Sequence, residues 1–228
     1  MDRRAVVFDF DGVLADTEGL HLRAFQDVFA ARGWRLDRAE YFERYLGFDD
    51  RALVRAFAAD VRRPLSTADA EAILAEKARL YERRVAAGSV LFPNAPAAIA
   101  RLGARYRLAI ASGSLRAEIA AVLAANDLSQ AIGAVIGADD VARSKPAPDA
   151  YTAAVAAIGV PASRAVAIED SRWGLVSARE AGLRTIGITT SYPPGALDLA
   201  DMIVHDLDEI TTDVVDALLG KGPAQAGT

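Results

Sequence analysis

The chain has 228 residues, of which 52% are hydrophobic and 25% are charged. This composition excludes intrinsic disorder, and the length corresponds to one or two domains that need no disulfide to bury a core. The net charge of −5 argues against general nucleic-acid binding but permits a small phosphorylated ligand. With no cysteine and only two histidines, thiolate zinc sites, cysteine nucleophiles and three-histidine zinc sites are also excluded.

The N-terminal sequence does not have the pattern of a signal peptide, because Asp9 interrupts its first apolar run. No stretch approaches the ~20 apolar residues of a membrane span. We therefore expect a cytoplasmic protein without a membrane partner.

Short, continuous apolar runs predict the strands of a parallel sheet that is buried on both faces. These runs are 5–10, 107–111, 134–137, 165–168, 184–189 and 202–205, the last as an edge strand. Ala-rich segments with helical character lie between them, at 95–102, 116–125, 148–158 and 172–181. The alternation indicates an α/β fold with a doubly wound parallel sheet.

Residues 16–88 interrupt this alternation with a segment that contains no strand-like run. Ser66 and Asp69 predict a capping box, and apolar residues then recur at helical spacing as far as Gly88. We predict two domains: an α/β core formed by 1–15 and 89–228, and a helical insert at 16–88. Residues 220–228 have the composition of a frayed tail.

Two acidic pairs come at the ends of predicted strands. Asp9 and Asp11 follow the first strand, and Glu169 and Asp170 follow the run 165–168. In open parallel sheets, ligands bind beyond the carboxyl ends of the strands. If the carboxylates converge, each like-charged pair at about 4 Å costs on the order of 4 kcal/mol, so protonation or a bound cation must offset the repulsion. A donor set made only of oxygen atoms favours Mg²⁺.

Two further segments are suited to bind an anion. Lys145 lies in a loop that two prolines restrict, and Ser112, Gly113 and Ser114 follow a predicted strand and open the next helix. A hydroxyl group and backbone N–H groups at a helix N-terminus bind anions. Beside a carboxylate-bound metal ion, these segments predict a site for a phosphoryl group.

Each motif also has a purely structural interpretation. Asp9 and Asp11 could form a turn and a helix cap, Ser112 could be an N-cap, and Lys145 could be a solvated loop lysine. The segment 169–171 could simply cap the helix at 172. Only the occurrence of all the motifs together favours a functional site.

In order and spacing, the motifs resemble those of the haloacid dehalogenase-like phosphohydrolases over nearly the whole chain. Residues 9–18 resemble the first motif, Ser112 the second, Lys145 the third and residues 169–171 the fourth. The helical insert resembles the small α-helical cap of that family. The run 16–18 followed by His21 is most similar to the branch of β-phosphoglucomutase and the sugar-phosphate phosphatases.

The resemblance implies a role for each matching residue. Asp9 would be the nucleophile that forms an aspartyl-phosphate, and Asp11 would be the general acid and base. Ser112 would hold a phosphoryl oxygen, and Lys145 would neutralise Asp9 and the transferring group.

The same resemblance implies a bound Mg²⁺ ion. Its ligands would be the Asp9 carboxylate, the Asp11 backbone carbonyl and Asp170. Glu169 would reach the ion directly or through water.

Substrate binding is expected from Gly113 and Ser114 beside the second motif. In the cap, the resemblance points to His21, Arg51 and Lys77. The alternative for Lys77 is a place on a solvated helix face, among three arginines between 79 and 84.

We therefore predict a Mg²⁺-dependent phosphatase that hydrolyses a small phosphate monoester such as a sugar phosphate. A phosphomutase is the first alternative, although Leu115 stands where the mutase branch carries a lysine or a similar group. A non-catalytic phosphometabolite-binding protein is the second. The oligomeric state is open, with a monomer favoured.

Overall fold

A computed structural model describes residues 4–45, 48–85 and 90–220 of the chain. The chain divides into two compact units, one formed by Met1–Asp16 with Leu91–Thr228 and the other by Thr17–Val90. We call them the α/β unit and the helical unit. The predicted helix stop at Gly88 and residues 221–228 of the predicted tail lie outside the described residues.

The helical unit has no strand among its described residues. Its helices are α1 (Glu18–Ala30), α2 (Arg38–Glu40, continued by a wide turn over Tyr41–Tyr45), α3 (Asp50–Asp60) and α4 (Thr67–Val85). The predicted capping box precedes α4: the Asp69 N–H donates to Ser66 Oγ at 3.1 Å, and the Ser66 N–H donates to Asp69 Oδ2 at 3.4 Å. Stacked rings of Phe29 and Phe57, with centroids 4.5 Å apart, lie in the core of this unit.

Six parallel strands form the sheet of the α/β unit, in the order β3-β2-β1-β4-β5-β6. The strands are β1 (Ala5–Phe8), β2 (Arg107–Ala111), β3 (Ala134–Ile136), β4 (Ala165–Glu169), β5 (Arg184–Ile188) and β6 (Met202–Val204). The remaining helices are α5 (Ala95–Gly103), α6 (Arg116–Ala125), α7 (Asp149–Ala157), α8 (Arg172–Glu180) and α9 (Thr212–Gly220). The predicted fold class and all six predicted strands are confirmed, and strand ends differ from the predicted ones by at most two residues.

The central strand β1 lies between β2 and β4, and Val7 pairs with Ala109 on one side and with Ala167 on the other. All four β1 side chains are buried, which is why the strand reads as an uninterrupted apolar run. The chain moves outward from β1 to β2 and β3 and then returns to β4 on the other side of β1. This reversal places the carboxyl ends of β1 and β4 side by side, at the switch point where α/β sheets bind ligands.

Within the described residues, no helix combines the length and the apolar character that crossing a membrane requires.

Candidate active site

The loop after β1 places two acidic side chains at the switch point. The Asp9 N–H donates to the Ile168 carbonyl at 2.9 Å, which extends the pairing of β1 with β4 beyond the strand end. Gly12 then turns the chain with φ +77°, and a Cβ at this position would lie 1.9 Å from Asp170 Oδ2. Glycine is therefore required at position 12 both by the backbone conformation and by the closeness of the Asp170 carboxylate.

Glu169 ends β4 and is fully buried, against the first turn of α8. Ser171 caps that helix by accepting a hydrogen bond from the Gly174 N–H at 3.1 Å, and its hydroxyl donates to Glu169 Oε2 at 3.2 Å. A Cβ on Gly174 would lie within 2.0 Å of three atoms of the Glu169 carboxyl group. The absence of a side chain at Gly174 thus makes the space that the Glu169 carboxylate occupies.

Lys145 joins the two acidic segments. Its Nζ donates to Asp9 Oδ1 at 2.9 Å and to Glu169 Oε1 at 2.6 Å, and its side chain is only 12% exposed. The interpretation of Lys145 as a solvated loop lysine is therefore wrong. Away from water, the attraction between the ammonium and the two carboxylates is stronger than it would be in solvent, and the two hydrogen bonds add to it.

Asp9, Glu169 and Asp170 each offer a carboxylate oxygen, and these atoms lie within 4.8 Å of one another. All three residues are buried. When ionised, the three carboxylates and the Lys145 ammonium carry a net charge of −2, which a divalent cation would neutralise. The donors are all oxygen atoms, the set that Mg²⁺ prefers, so the residues present fit this ion.

Burial raises the pKa of Asp9 to about 8; Lys145 opposes this rise, while Glu169 and Asp11 add to it. Burial alone would lower the pKa of Lys145, but the neighbouring carboxylates of Asp9 and Glu169 raise it above its usual value. A divalent cation among the carboxylates would act on Asp9 in the same direction as Lys145 does, favouring the ionised form.

The Asp11 carboxylate lies against the loop that follows β2. Asp11 Oδ2 accepts hydrogen bonds from the Ser114 hydroxyl at 2.5 Å and from the Ser112 hydroxyl at 3.3 Å. Ser112 Oγ also accepts from the Ser114 N–H at 3.0 Å. The structure therefore brings the first and second motifs together through Asp11.

Two details of the predicted serine loop need correction. Residues 112–114 do not open a helix directly, because α6 begins at Arg116 and Leu115 occupies its cap position. Ser112 is consequently not the N-cap either. Apart from its chain neighbours, no atom of the described residues lies within 4 Å of the position that a Cβ would take at Gly113. The contact of Gly113 with substrate stays a prediction.

In the helical unit, two predicted substrate-binding residues belong to one buried cluster. Lys77 is fully buried and pairs with Asp50 Oδ2 at 2.6 Å, and its Nζ lies 2.7 Å from His21 Nδ1. Because an ammonium can only donate, His21 Nδ1 is the acceptor. The expected alternative of a solvated face is thus wrong for Lys77. Arg51 lies outside this cluster, exposed and paired with Glu71 at 3.1 Å.

Three residues of these sites were not predicted to have a role: Tyr151, Gly174 and Asp50. Tyr151 is fully buried on α7, and its hydroxyl donates to Glu169 Oε1 at 2.6 Å. A buried tyrosine needs a hydrogen-bond partner for its hydroxyl, but sequence alone does not show which carboxylate supplies it.

A haloacid dehalogenase-like hydrolase family model matches residues 6–188, and the chain belongs to that family. Among its relatives, protein CbbY of Rhodobacter capsulatus is 37% identical over a 232-residue alignment that covers 96% of this chain and 100% of the relative. Validoxylamine A 7'-phosphate phosphatase of Streptomyces hygroscopicus subsp. limoneus is 28% identical, over 91% of this chain and 95% of the relative.

The crystal structure of a CbbY point mutant from Rhodobacter sphaeroides in complex with xylulose-(1,5)bisphosphate superposes with a TM-score of 0.83. Its sequence is 31% identical to this chain, and the match covers 93% of this chain and 99% of that one. Family membership and the phosphatase-named relative support a phosphoric monoester hydrolase, as the motifs predict.

Proposed function

We propose that this hydrolase is a Mg²⁺-dependent phosphatase that removes phosphate from a small sugar phosphate through an aspartyl-phosphate on Asp9. The observation that carries the proposal is the convergence of Asp9, Glu169 and Asp170 at the switch point of the sheet, where Lys145 pairs with the first two. Protonation or a cation must offset the repulsion among these buried carboxylates, and Lys145 supplies only one positive charge. Phosphoryl transfer depends mainly on positioning and charge neutralisation, and this arrangement offers both.

In the first step, a carboxylate oxygen of Asp9 attacks phosphorus, and the bond from phosphorus to the leaving oxygen breaks. The Lys145 ammonium holds Oδ1, so Oδ2 is the oxygen that is free of this contact. Asp11 donates its proton to the leaving oxygen of the sugar. Bound Mg²⁺, held by Asp9, Asp170, Glu169 and the Asp11 backbone carbonyl, would neutralise the phosphoryl charge.

In the second step, water attacks phosphorus, and the bond between Asp9 and phosphorus breaks. Asp11 takes the proton from this water and returns to its starting state. Ser112 and Ser114, whose hydroxyls donate to Asp11 Oδ2, position the Asp11 carboxyl group. Once phosphate binds, the Ser112 hydroxyl becomes a donor to a phosphoryl oxygen.

Hydrolysis is favoured over mutase chemistry by the charges beside the serine loop. A mutase must hold two phosphates, which requires further cations. Leu115 follows the loop and is exposed, and Arg116 is held by Asp140 at 2.9 and 2.8 Å. The first cationic side chain after the loop is therefore already paired with a carboxylate.

Phosphate release tests this proposal. The purified protein is incubated with a panel of sugar phosphates, including xylulose-1,5-bisphosphate because the CbbY relative was crystallised with it. We expect free phosphate with Mg²⁺ and none with EDTA. Asp9→Asn should abolish release, whereas Asp208→Asn, at an exposed surface carboxylate, should not.

Three outcomes would contradict the proposal. Undiminished turnover by Asp9→Asn would exclude Asp9 as the nucleophile. Isomerisation of a sugar phosphate that requires a bisphosphate and yields no free phosphate would identify a mutase. Binding of sugar phosphates without any turnover would identify the non-catalytic alternative.

Several finer expectations belong to the same proposal. We propose that the helical unit is the cap that selects the substrate, with His21, Arg51 and Lys77 as the residues to test. The small phosphorylated metabolite as ligand, the cytoplasmic location and the monomeric state remain predictions made from the sequence.

A further inference from the structure

Tyr151 contacts two charged residues of the acidic cluster formed by Asp9, Glu169 and Asp170 with Lys145: the Glu169 carboxylate and the Lys145 ammonium. Its hydroxyl donates to Glu169 Oε1 at 2.6 Å, and the centre of its ring lies 5.1 Å from Lys145 Nζ. The side chain is fully buried. The hydrogen bond and the ring contact thus place Tyr151 against both charged groups, the Glu169 carboxylate and the Lys145 ammonium.

The hydrogen bonds of Glu169 are divided unequally between its two oxygens. Oε1 accepts from Tyr151 and from Lys145, each at 2.6 Å, while Oε2 accepts from Ser171 at the longer distance of 3.2 Å. Two donors occupy the two lone pairs of Oε1. Oε2 is consequently the oxygen that has a lone pair left for a metal ion or for its water.

Lys145 is shared between two acceptors that compete for it. Its Nζ lies 2.6 Å from Glu169 Oε1 and 2.9 Å from Asp9 Oδ1. A hydrogen bond from Tyr151 reduces the negative charge that Glu169 Oε1 presents to the ammonium, and the tyrosine ring stabilises the ammonium where it lies. Both effects leave the longer contact to Asp9 intact.

We propose that Tyr151 is a positioning residue: by donating to Glu169 Oε1, its hydroxyl keeps Lys145 shared with Asp9 and keeps Glu169 Oε2 available to the metal site. This inference rests on the proposed function, because it concerns the same acidic cluster. Tyr151 acts through Glu169 and Lys145 and touches no reacting atom.

The test removes only the hydroxyl group. Tyr151→Phe keeps the buried ring. Tyr106→Phe is the matched control, because Tyr106 is also buried and its hydroxyl donates to the Asp216 carboxylate at 2.7 Å. Neither Tyr106 nor Asp216 has a role in the proposed chemistry. Mg²⁺ binding to the substrate-free proteins is measured by calorimetric titration. Values of kcat and KM for phosphate release are measured separately.

For Tyr151→Phe we expect the Kd for Mg²⁺ to rise roughly tenfold and kcat to fall roughly tenfold, the size of effect that loss of a hydrogen bond to a charged group produces. KM should change little, because substrate binding is not altered directly. Tyr106→Phe should leave both the Mg²⁺ affinity and kcat at wild-type values. In a Glu169→Ala background, Tyr151→Phe should have no further effect on either quantity.

Equal Mg²⁺ affinity and equal kcat in wild type and Tyr151→Phe would overturn the inference. So would a Tyr151→Phe protein that fails to fold while Tyr106→Phe folds, since the hydroxyl would then serve stability. An undiminished effect in the Glu169→Ala background would show that Tyr151 acts through another group. Wild-type protein that releases no phosphate from any substrate would instead reject the proposed function, and the calorimetric comparison would still decide the role of Tyr151.

Discussion

Replacing Gly174 with alanine tests whether the Glu169 carboxylate must occupy the space beside the first turn of α8. The new Cβ would lie 1.9 Å from Glu169 Oε1, whereas ordinary contacts begin near 3.4 Å. The carboxylate therefore has to move by about 1.5 Å, the difference between these two distances. Such a shift breaks its hydrogen bonds with Lys145 and Tyr151.

The sign of the stability change separates this explanation from a simple helix effect. Glycine to alanine in a helix stabilises by ~1 kcal/mol when nothing else changes. Each lost hydrogen bond to the charged Glu169 costs about 1.5–3 kcal/mol. For Gly174→Ala we expect a net loss of about 2–5 kcal/mol in the free energy of unfolding, with most of the phosphate release lost as well.

Urea unfolding followed by circular dichroism measures the stability, and phosphate release measures the activity. Gly195→Ala is the control, because, apart from the chain neighbours of Gly195, no atom of the described residues lies within 4 Å of the Cβ position there. This variant should match wild type in both assays. An unchanged or more stable Gly174→Ala protein with full activity would refute the reasoning.

Three further predictions concern the charged groups. Lys145→Met should abolish phosphate release and make the melting temperature depend strongly on Mg²⁺, because the ion then supplies most of the positive charge that offsets the carboxylates. A melting temperature that does not change with Mg²⁺ would contradict this. The pKa of Asp9 is raised to about 8, so Mg²⁺ must displace a proton at lower pH. Calorimetry should accordingly show the affinity for Mg²⁺ rising by up to about tenfold per pH unit from pH 6 to 8, whereas a pH-independent affinity would count against an Asp9 ligand. In the helical unit, Asp50→Asn should lower the free energy of unfolding by about 3–5 kcal/mol, because the substitution removes the carboxylate partner of the fully buried Lys77 ammonium. Lys77→Met should lower it by only ~1–2 kcal/mol, because the Asp50 carboxylate that loses its partner is 34% exposed. The reverse order in urea unfolding would disprove this.

The sheet could be predicted because its strands are buried on both faces, so each appears as an apolar run such as 165–168. The acidic pairs at the strand ends could be predicted for the same reason, since carboxylates stand out against apolar neighbours. The neighbourhood of β1 and β4, which brings Asp9 to Glu169, depends on the strand order, and local sequence does not carry that information.

Other features depend on contacts between residues that are distant in the chain. Tyr151 and Gly174 acquire their roles only because Glu169 lies beside both. The burial of Lys77 could have been predicted: Ile73, Lys77 and Tyr81 follow one another at intervals of four residues and are buried together on one face of α4. The nearby arginines obscured this helical periodicity.

A crystal grown with Mn²⁺ in place of Mg²⁺ tests the central claim most directly, because manganese can be located by its anomalous scattering. The account predicts one strong peak about 2 Å from carboxylate oxygens of Asp9 and Asp170, with Glu169 bound directly or through water. An absence of anomalous density among these three carboxylates, in crystals of protein that releases phosphate in the presence of Mn²⁺, would contradict it.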